Sequence, residues 1–84
     1  MNCFVYIIYS KKIDKYYIGC SNNPKRRLKY HNLGKGGGRA YTKRAKYWRL
    51  VYTKLFYERK SALEYERKLK RMKSRKYIES IIKS

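Results

Sequence analysis

Acidic residues are scarce in this chain of 84 residues, in which five Asp and Glu stand against 24 Lys and Arg and leave a net charge of +19 at pH 7. Such an excess opposes compaction and favours contact with a polyanion, because each neutralised phosphate releases condensed counterions. Nucleic acid is therefore the expected partner. An anionic membrane surface ranks behind it, since that partner favours a long helix with a wide apolar face.

Long apolar runs, a secretory leader and clustered cysteines are lacking as well. No stretch has the length and composition of a membrane-spanning helix, and the N-terminus has no signal-peptide pattern. Cys3 and Cys20 lack metal-ligand spacing, so we expect free thiols in a reducing cytoplasm. The length fits a single domain over residues 1–84. Because no membrane-spanning pattern is present, no membrane association is expected. The sequence leaves protein partners and the oligomeric state open.

The first third of the chain predicts two paired strands and a helix. Residues 3–9 and 16–20 are rich in β-branched and aromatic side chains and flank a polar stretch, which is typical of a β-hairpin. Asn23 followed by Pro24 is a typical N-cap and first-turn pair, and the helix is expected to stop at Gly34.

The apolar pattern of this hairpin suggests a register. If Tyr6 lies opposite Tyr17, then Cys3 lies opposite Cys20 and one face of the hairpin is almost wholly apolar. The other face then carries both phenols, with an open patch where Gly19 has no side chain.

The segment Gly-Lys-Gly-Gly-Gly-Arg, residues 34–39, begins a basic loop that runs to about Trp48. It lacks the residue order of a phosphate-binding P-loop, so no nucleotide cofactor is expected. The loop fits a flexible surface connection, and it equally fits a cationic strap across a phosphate backbone.

The second half of the chain predicts a strand over residues 50–57 and two helices. Ser61 and Glu64 match a capping box at the start of the longer helix, and Ser74 can cap the last one. The longer helix then has an apolar stripe, formed by Ala62, Tyr65, Leu69 and Met72.

Glu66 lies within that apolar stripe, where a lone carboxylate is costly unless it is paired or binds a metal. Two interpretations stay open: a salt bridge, for example to Arg27, or a ligand for a divalent ion. Cleavage of a phosphodiester needs an activated nucleophile and stabilisation of charge on phosphate oxygens. Phenols at Tyr6 and Tyr17, the Arg27 guanidinium and the Glu66 carboxylate can supply these functions.

Five elements in order resemble the GIY-YIG nuclease family, and within it the compact single-domain members of the Slx1-like and UPF0213-like type. The elements are Val5-Tyr6-Ile7 at the GIY element, Tyr17-Ile18-Gly19 at the YIG element, Arg27 at the family's catalytic arginine, His31 one helical turn later and Glu66 at its metal-binding glutamate.

This resemblance implies an α+β GIY-YIG fold, with a central three-stranded mixed antiparallel sheet flanked by about three helices. It also implies hydrolysis of DNA with one divalent ion, Mg²⁺ or Mn²⁺, held by Glu66. In the family's scheme Tyr17, or a water beside it, is the general base, with a relay through His31 as one option. Tyr6 orients the water or the phosphate, and Arg27 steadies the scissile phosphate.

The chain departs from the family at two places near these motifs. Val5 replaces the first glycine of the GIY element, and Cys20 stands where relatives often carry Lys. The cation must then come from the next helix or from the basic loop. The predicted nucleic-acid contacts are Lys25, Arg26, Lys35, Arg39, Lys43 and Arg44.

Two functions compete at this point. The first is an endonuclease selective for single-stranded, flapped or branched DNA, since shape is easier than a base code for a chain this small to recognise. The second is a non-catalytic basic nucleic-acid-binding module. A carboxylate near phosphates favours the first, because it would only repel them in a pure binder.

Overall fold

A computed structural model describes residues 2–32 and 47–83. Three strands and three helices fill these ranges, which confirms the α+β class. In chain order they are β1 Cys3–Ser10, β2 Lys15–Ser21, α1 Pro24–Asn32, β3 Trp48–Phe56, α2 Arg59–Met72 and α3 Arg75–Lys83. The predicted stop at Gly34 and most of the basic loop, including Lys35, Arg39, Lys43 and Arg44, lie outside the described residues.

The sheet has the strand order β2-β1-β3, and both pairings are antiparallel, so the described sheet is antiparallel throughout rather than mixed. β2 is an edge strand. Within the two described ranges, no helix is long and apolar enough to cross a membrane.

The predicted hairpin register is wrong by two residues. Tyr6 lies opposite Gly19 rather than Tyr17, and Val5 rather than Cys3 lies opposite Cys20. The cause is the turn over residues 11–14, which closes only at the Ser10–Lys15 pair. Its last residue, Asp14, has a left-handed backbone with φ 53°, a conformation that a short polar side chain tolerates. A shift of two residues leaves every side chain on its predicted face.

The two faces of the sheet hold different cores. On one face, α2 and α3 cover aliphatic residues of the hairpin, and on the other, α1 covers aromatic ones. The first cluster is Cys3, Val5, Ile7, Ile18, Ala62, Leu69 and Ile78, with Tyr65 packed against it. The second is Tyr6, Ile8 and Trp48, with Tyr17, Leu28 and Leu50 packed against it.

Two of the three helices begin at the N-cap residue that the sequence predicts. The Asn23 side chain accepts a hydrogen bond from the Arg26 amide at 3.2 Å, and the Ser74 hydroxyl accepts one from the Tyr77 amide at 3.1 Å. Both predicted N-caps are therefore confirmed. The capping box at Ser61 is wrong, because α2 begins three residues earlier, after an N-cap at Glu58 that makes no side-chain bond.

Two other boundaries differ from the prediction. β3 begins at Trp48 rather than at residue 50. Met72, expected on the apolar stripe of α2, is exposed because the helix ends there and Lys73 turns the chain away with φ 48°.

Two side chains attach helices to the sheet at the same end, where Ser10 of β1 lies between Lys15 of β2 and Trp48 of β3. At the end of α1, the Asn32 amide accepts a bond from the Trp48 amide at 2.6 Å and donates one to the Trp48 carbonyl at 3.2 Å. At the hairpin turn, the Arg75 guanidinium of α3 bonds the Asp14 carboxylate and lowers its pKa to about 2. The site lies at the β2 edge.

Candidate active site

A cleft of about 610 Å³ crosses the β2 edge, between α1 on one face of the sheet and α2 on the other. Four of the five predicted catalytic residues line it, although they come from four different elements. These are Tyr6 from β1, Tyr17 from β2, Arg27 from α1 and Glu66 from α2. The fifth, His31, is fully buried behind Tyr6.

Gly19 allows the closest approach in the site. A Cβ atom at this position would overlap the hydroxyl and the ring of Tyr6. The patch that was expected to stay open beside Gly19 is therefore filled by the Tyr6 ring. A glycine is needed here because the phenol crosses the strand where a side chain would stand.

Tyr6 and His31 form a buried hydrogen-bonded pair. The Tyr6 hydroxyl lies 3.2 Å from His31 Nε2, and the two residues are only 1% and 0% exposed. Burial raises the pKa of Tyr6, partly offset by a hydrogen bond with Arg27, and keeps the phenol protonated near neutral pH. Burial also lowers the pKa of His31, and the nearby charge of Arg27 adds to this, so the imidazole is neutral at pH 7.

Two buried nitrogens in this region have no hydrogen-bond partner among the described residues, His31 Nδ1 and Arg27 Nε. Unpaired buried polar atoms are costly and uncommon in folded proteins, and a functional role is one explanation for them. Arg27 lines the cleft with a planar set of donors, which suits the oxygens of a phosphate.

Tyr17 connects the two walls of the cleft. Its ring centroid lies 4.7 Å from that of His31 on the α1 side. The Lys70 ammonium of α2 lies 6.0 Å from the same ring. The hydrogen bond of His31 goes to Tyr6, so the imidazole contacts Tyr17 by ring packing.

Glu66 is paired, but with a partner that the sequence analysis did not name. Its Oε1 lies 3.2 Å from the Lys70 Nζ, and the two side chains are 15% and 50% exposed. The suggested alternative of a bridge to Arg27 is therefore replaced by an i,i+4 pair within α2. That spacing is the signal that could have identified Lys70.

The cleft suits a magnesium-like ion only in part. Within residues 2–32 and 47–83, no group of three or more His, Cys, Asp or Glu side chains could hold a metal. Glu66 nevertheless presents a hard oxygen ligand in the cleft, and the Lys70 ammonium already occupies a cation position beside it. Magnesium keeps several waters and takes further ligands from phosphate, so one carboxylate fits its requirements.

Cations surround this carboxylate. Of the predicted nucleic-acid contacts, Lys25 and Arg26 lie exposed on α1, and Arg26 also lines the cleft. Arg26 donates to the Tyr30 hydroxyl at 3.3 Å. Arg59, at the start of α2, lines the opposite wall and was not predicted, because nothing in the sequence indicates that the start of α2 faces α1 across β2.

Comparison with known proteins decides the family. The model of the GIY-YIG catalytic domain matches residues 2–78. The chain belongs to the GIY-YIG family. As a GIY-YIG protein it is similar to the UPF0213 protein YazA of Bacillus subtilis (strain 168), with 35% identity over 81 residues that cover 93% of this chain and 79% of the relative.

The GIY-YIG fold is also similar to a solved structure, the solution NMR structure of the UPF0213 protein BH0048 from Bacillus halodurans. The TM-score is 0.60 and the identity 34%, over 99% of this chain and 84% of that one. In this GIY-YIG domain the two motif tripeptides lie on the paired strands β1 and β2. Membership of the family implies nuclease activity in general, with DNA as the substrate.

Proposed function

We propose that this protein is a metal-dependent endonuclease that hydrolyses phosphodiester bonds of single-stranded, flapped or branched DNA. The observation that carries this proposal is the meeting of two phenols, a guanidinium and a carboxylate in one cleft. Sequence positions 6, 17, 27 and 66 come together only through the fold. A module that merely binds DNA gains nothing from a carboxylate among its phosphate contacts.

Arg27 is the residue that holds the scissile phosphate in this proposal. Its charge is permanent, and its Nε has no partner among the described residues. With His31 Nε2–H donating to its oxygen, the protonated Tyr6 hydroxyl acts as a positioning donor toward a phosphate oxygen or the attacking water. Tyr17, which is more exposed than Tyr6, would accept a proton from that water in its phenolate form.

Glu66 would hold the divalent ion, Mg²⁺ or Mn²⁺. When bound, such an ion polarises phosphate oxygens and stabilises charge on the departing oxygen. Lys70 is then the counter-ion that neutralises Glu66 before the ion binds. Because half of the Lys70 side chain is exposed, this pair is weak and easily exchanged.

The cationic side chains of the cleft support selection of DNA by its shape rather than by its base sequence. The cations around the cleft, Arg26, Arg27, Arg59 and Lys70, have the chemistry to bind phosphates rather than to read bases. A flexible single strand can follow a cleft across the β2 edge more easily than a stiff duplex can.

The test is cleavage of labelled single-stranded, flapped, branched and linear duplex DNA, with Mg²⁺ or Mn²⁺, at equal DNA occupancy. Glu66→Gln should cut roughly 10²–10³-fold more slowly while still binding DNA. Glu64→Gln is the matched control, since it removes the same charge from an exposed position of the same helix. Equal cutting of intact linear duplex would contradict the proposed selectivity.

A second function, a non-catalytic nucleic-acid-binding module, is favoured by the net charge of +19 and by the neutralisation of Glu66 by Lys70. The same experiment separates the two. Tight DNA binding by the wild type without cutting in either metal would establish the binding module. Cutting that is lost in Glu66→Gln would exclude it.

A further inference from the structure

The two cysteines of the chain meet on the wall of the cleft. The Cys3 and Cys20 sulfur atoms lie 2.7 Å apart, although the residues are 17 positions apart in the sequence. Both residues line the cleft, and both thiols are free. Cys3 is 8% exposed and Cys20 is half-buried. The cleft therefore gives a small reagent in solution a route to the pair.

The hairpin register explains this contact. Cys20 lies directly opposite Val5, so Cys3 is its diagonal neighbour on the same face of the β1–β2 pair. A disulfide needs a sulfur separation of about 2.05 Å, so bonding requires the sulfurs to approach by roughly 0.7 Å. Rotation of the two side chains can supply this movement while the strands keep their pairing.

We propose that Cys3 and Cys20 are a modification site at which a peroxide forms an intramolecular disulfide. The bond would tie the first residue of β1 to the penultimate residue of β2, directly after Gly19. This inference does not rest on nuclease activity, because it concerns the covalent state of the hairpin.

The chemistry balances with one peroxide molecule. One cysteine, as the thiolate, attacks a peroxide oxygen, the O–O bond breaks, and a sulfenic acid and water form after protonation. The second thiol attacks that sulfur, the S–O bond breaks, and a second water leaves. Two thiols are oxidised by two electrons, hydrogen peroxide is reduced to two waters, and the two thiol protons end in the waters.

The surroundings make this reaction slow. Burial, together with the neighbouring Cys3 thiol, raises the pKa of Cys20 to about 12, so little of it is thiolate at pH 7. The pair stays reduced during brief exposure to oxidant and responds to sustained exposure. A dithiol reductant reverses the bond by exchange.

The experiment treats the full chain with hydrogen peroxide and then blocks remaining thiols with a maleimide under denaturing conditions. Trypsin should release a disulfide-linked pair of peptides, residues 1–11 and 16–25, lighter than their sum by two hydrogen atoms. Because the crosslink restricts the unfolded chain, Tm should rise by about 10 °C. Dithiothreitol should restore both maleimide uptake and the original Tm.

Cys3→Ser and Cys20→Ser are the matched controls, each measured reduced and oxidised. Neither should form the linked peptides or gain Tm, and their reduced Tm values report whether they fold. Should a serine variant fail to fold, the wild-type peptide map and its reversal by dithiothreitol still decide. Retention of both thiols, oxidation only to sulfinic or sulfonic acids, or disulfides only between two chains would overturn the proposal.

Discussion

The two faces of β1 perform different tasks with alternate residues of one strand. Val5 and Ile7 point toward α2 and α3 and pack in an aliphatic cluster. Tyr6 points toward α1, where its hydroxyl bonds a buried histidine. Within β1, core packing is therefore concentrated on one face and the proposed catalytic phenol on the other, and a substitution at one position should affect mainly the task of its own face.

The largest effect is expected from Ile7→Ala, which leaves a cavity in the aliphatic cluster. Ile7 is fully buried, so the free energy of unfolding should fall by about 2–5 kcal/mol. Tyr6→Phe leaves no cavity but deprives buried His31 Nε2 of its partner, and should lower it by about 1–3 kcal/mol. Urea unfolding of both variants measures the difference. Equal losses in the free energy of unfolding would show that the two faces of β1 contribute alike to stability.

Gly19→Ala should be next in size, because the added methyl overlaps the Tyr6 ring. Overpacking of this kind costs about 1–3 kcal/mol. Tyr6→Leu makes room for the methyl, so the double variant should lose less stability than the sum of the two single variants. A urea double-mutant cycle measures this coupling. Strict additivity would show that the loss in Gly19→Ala does not come from overlap with the Tyr6 ring.

His31 should make stability depend on pH in the range just below neutral. Its pKa is lowered in the folded state from the usual 6.5, so below pH 6.5 the unfolded chain binds more protons than the folded one. Stability should therefore fall as the pH drops below this value, and remain level above it. Urea midpoints between about pH 5 and 8 test this. His31→Gln should abolish the slope, and a slope that survives would assign it to another group.

The smallest effect on stability is expected on the other side of the sheet, from the exposed ion pair between Asp14 and Arg75 of α3. Arg75 lowers the pKa of Asp14 from 3.8 to about 2. The contribution of this carboxylate to stability is present above pH 3.8 and is lost as the pH falls through 2. Asp14→Asn, which keeps a side chain suited to the left-handed turn, should have a slightly lower Tm at neutral pH.

At strong acid the Asp14→Asn and wild-type Tm values should converge, because the wild-type carboxyl is then also uncharged. A constant difference at every pH would assign the effect to the turn backbone rather than to the ion pair. Together, the two pH dependences sharpen the comparison. The α1 face should lose stability just below neutral pH, and the α3 side only in strong acid.

The alternation of apolar residues predicted which face each side chain of the hairpin occupies, but the predicted register was wrong. The faces of β1 and β2 were predicted correctly, because the pattern of apolar residues fixes parity and a two-residue shift preserves it. The register itself depends on the turn, where Asp14 is held by Tyr9 and by Arg75 of a distant helix. Local sequence does not contain that contact.

Capping residues likewise predicted the start of a helix only where tertiary packing does not set that start. Asn23 and Ser74 bond their own helices and were identified. The start of α2 is set by packing, since Ala62 must reach the buried cluster of the sheet, and this packing overrides the box at Ser61. Neither the Tyr6–His31 bond nor the proximity of Arg59 to Arg26 could be read from spacing, because each joins separate elements.

The pair of hydrogen bonds between Asn32 and Trp48 has a consequence for protein engineering. These bonds hold Asn32 and Trp48 together, so the closure entropy of the segment between them depends on its length. Doubling such a length costs only about 0.6 kcal/mol in closure entropy. A foreign recognition module inserted between Asn32 and Trp48 would therefore begin and end at neighbouring points of the described fold, and its length alone should lower stability little.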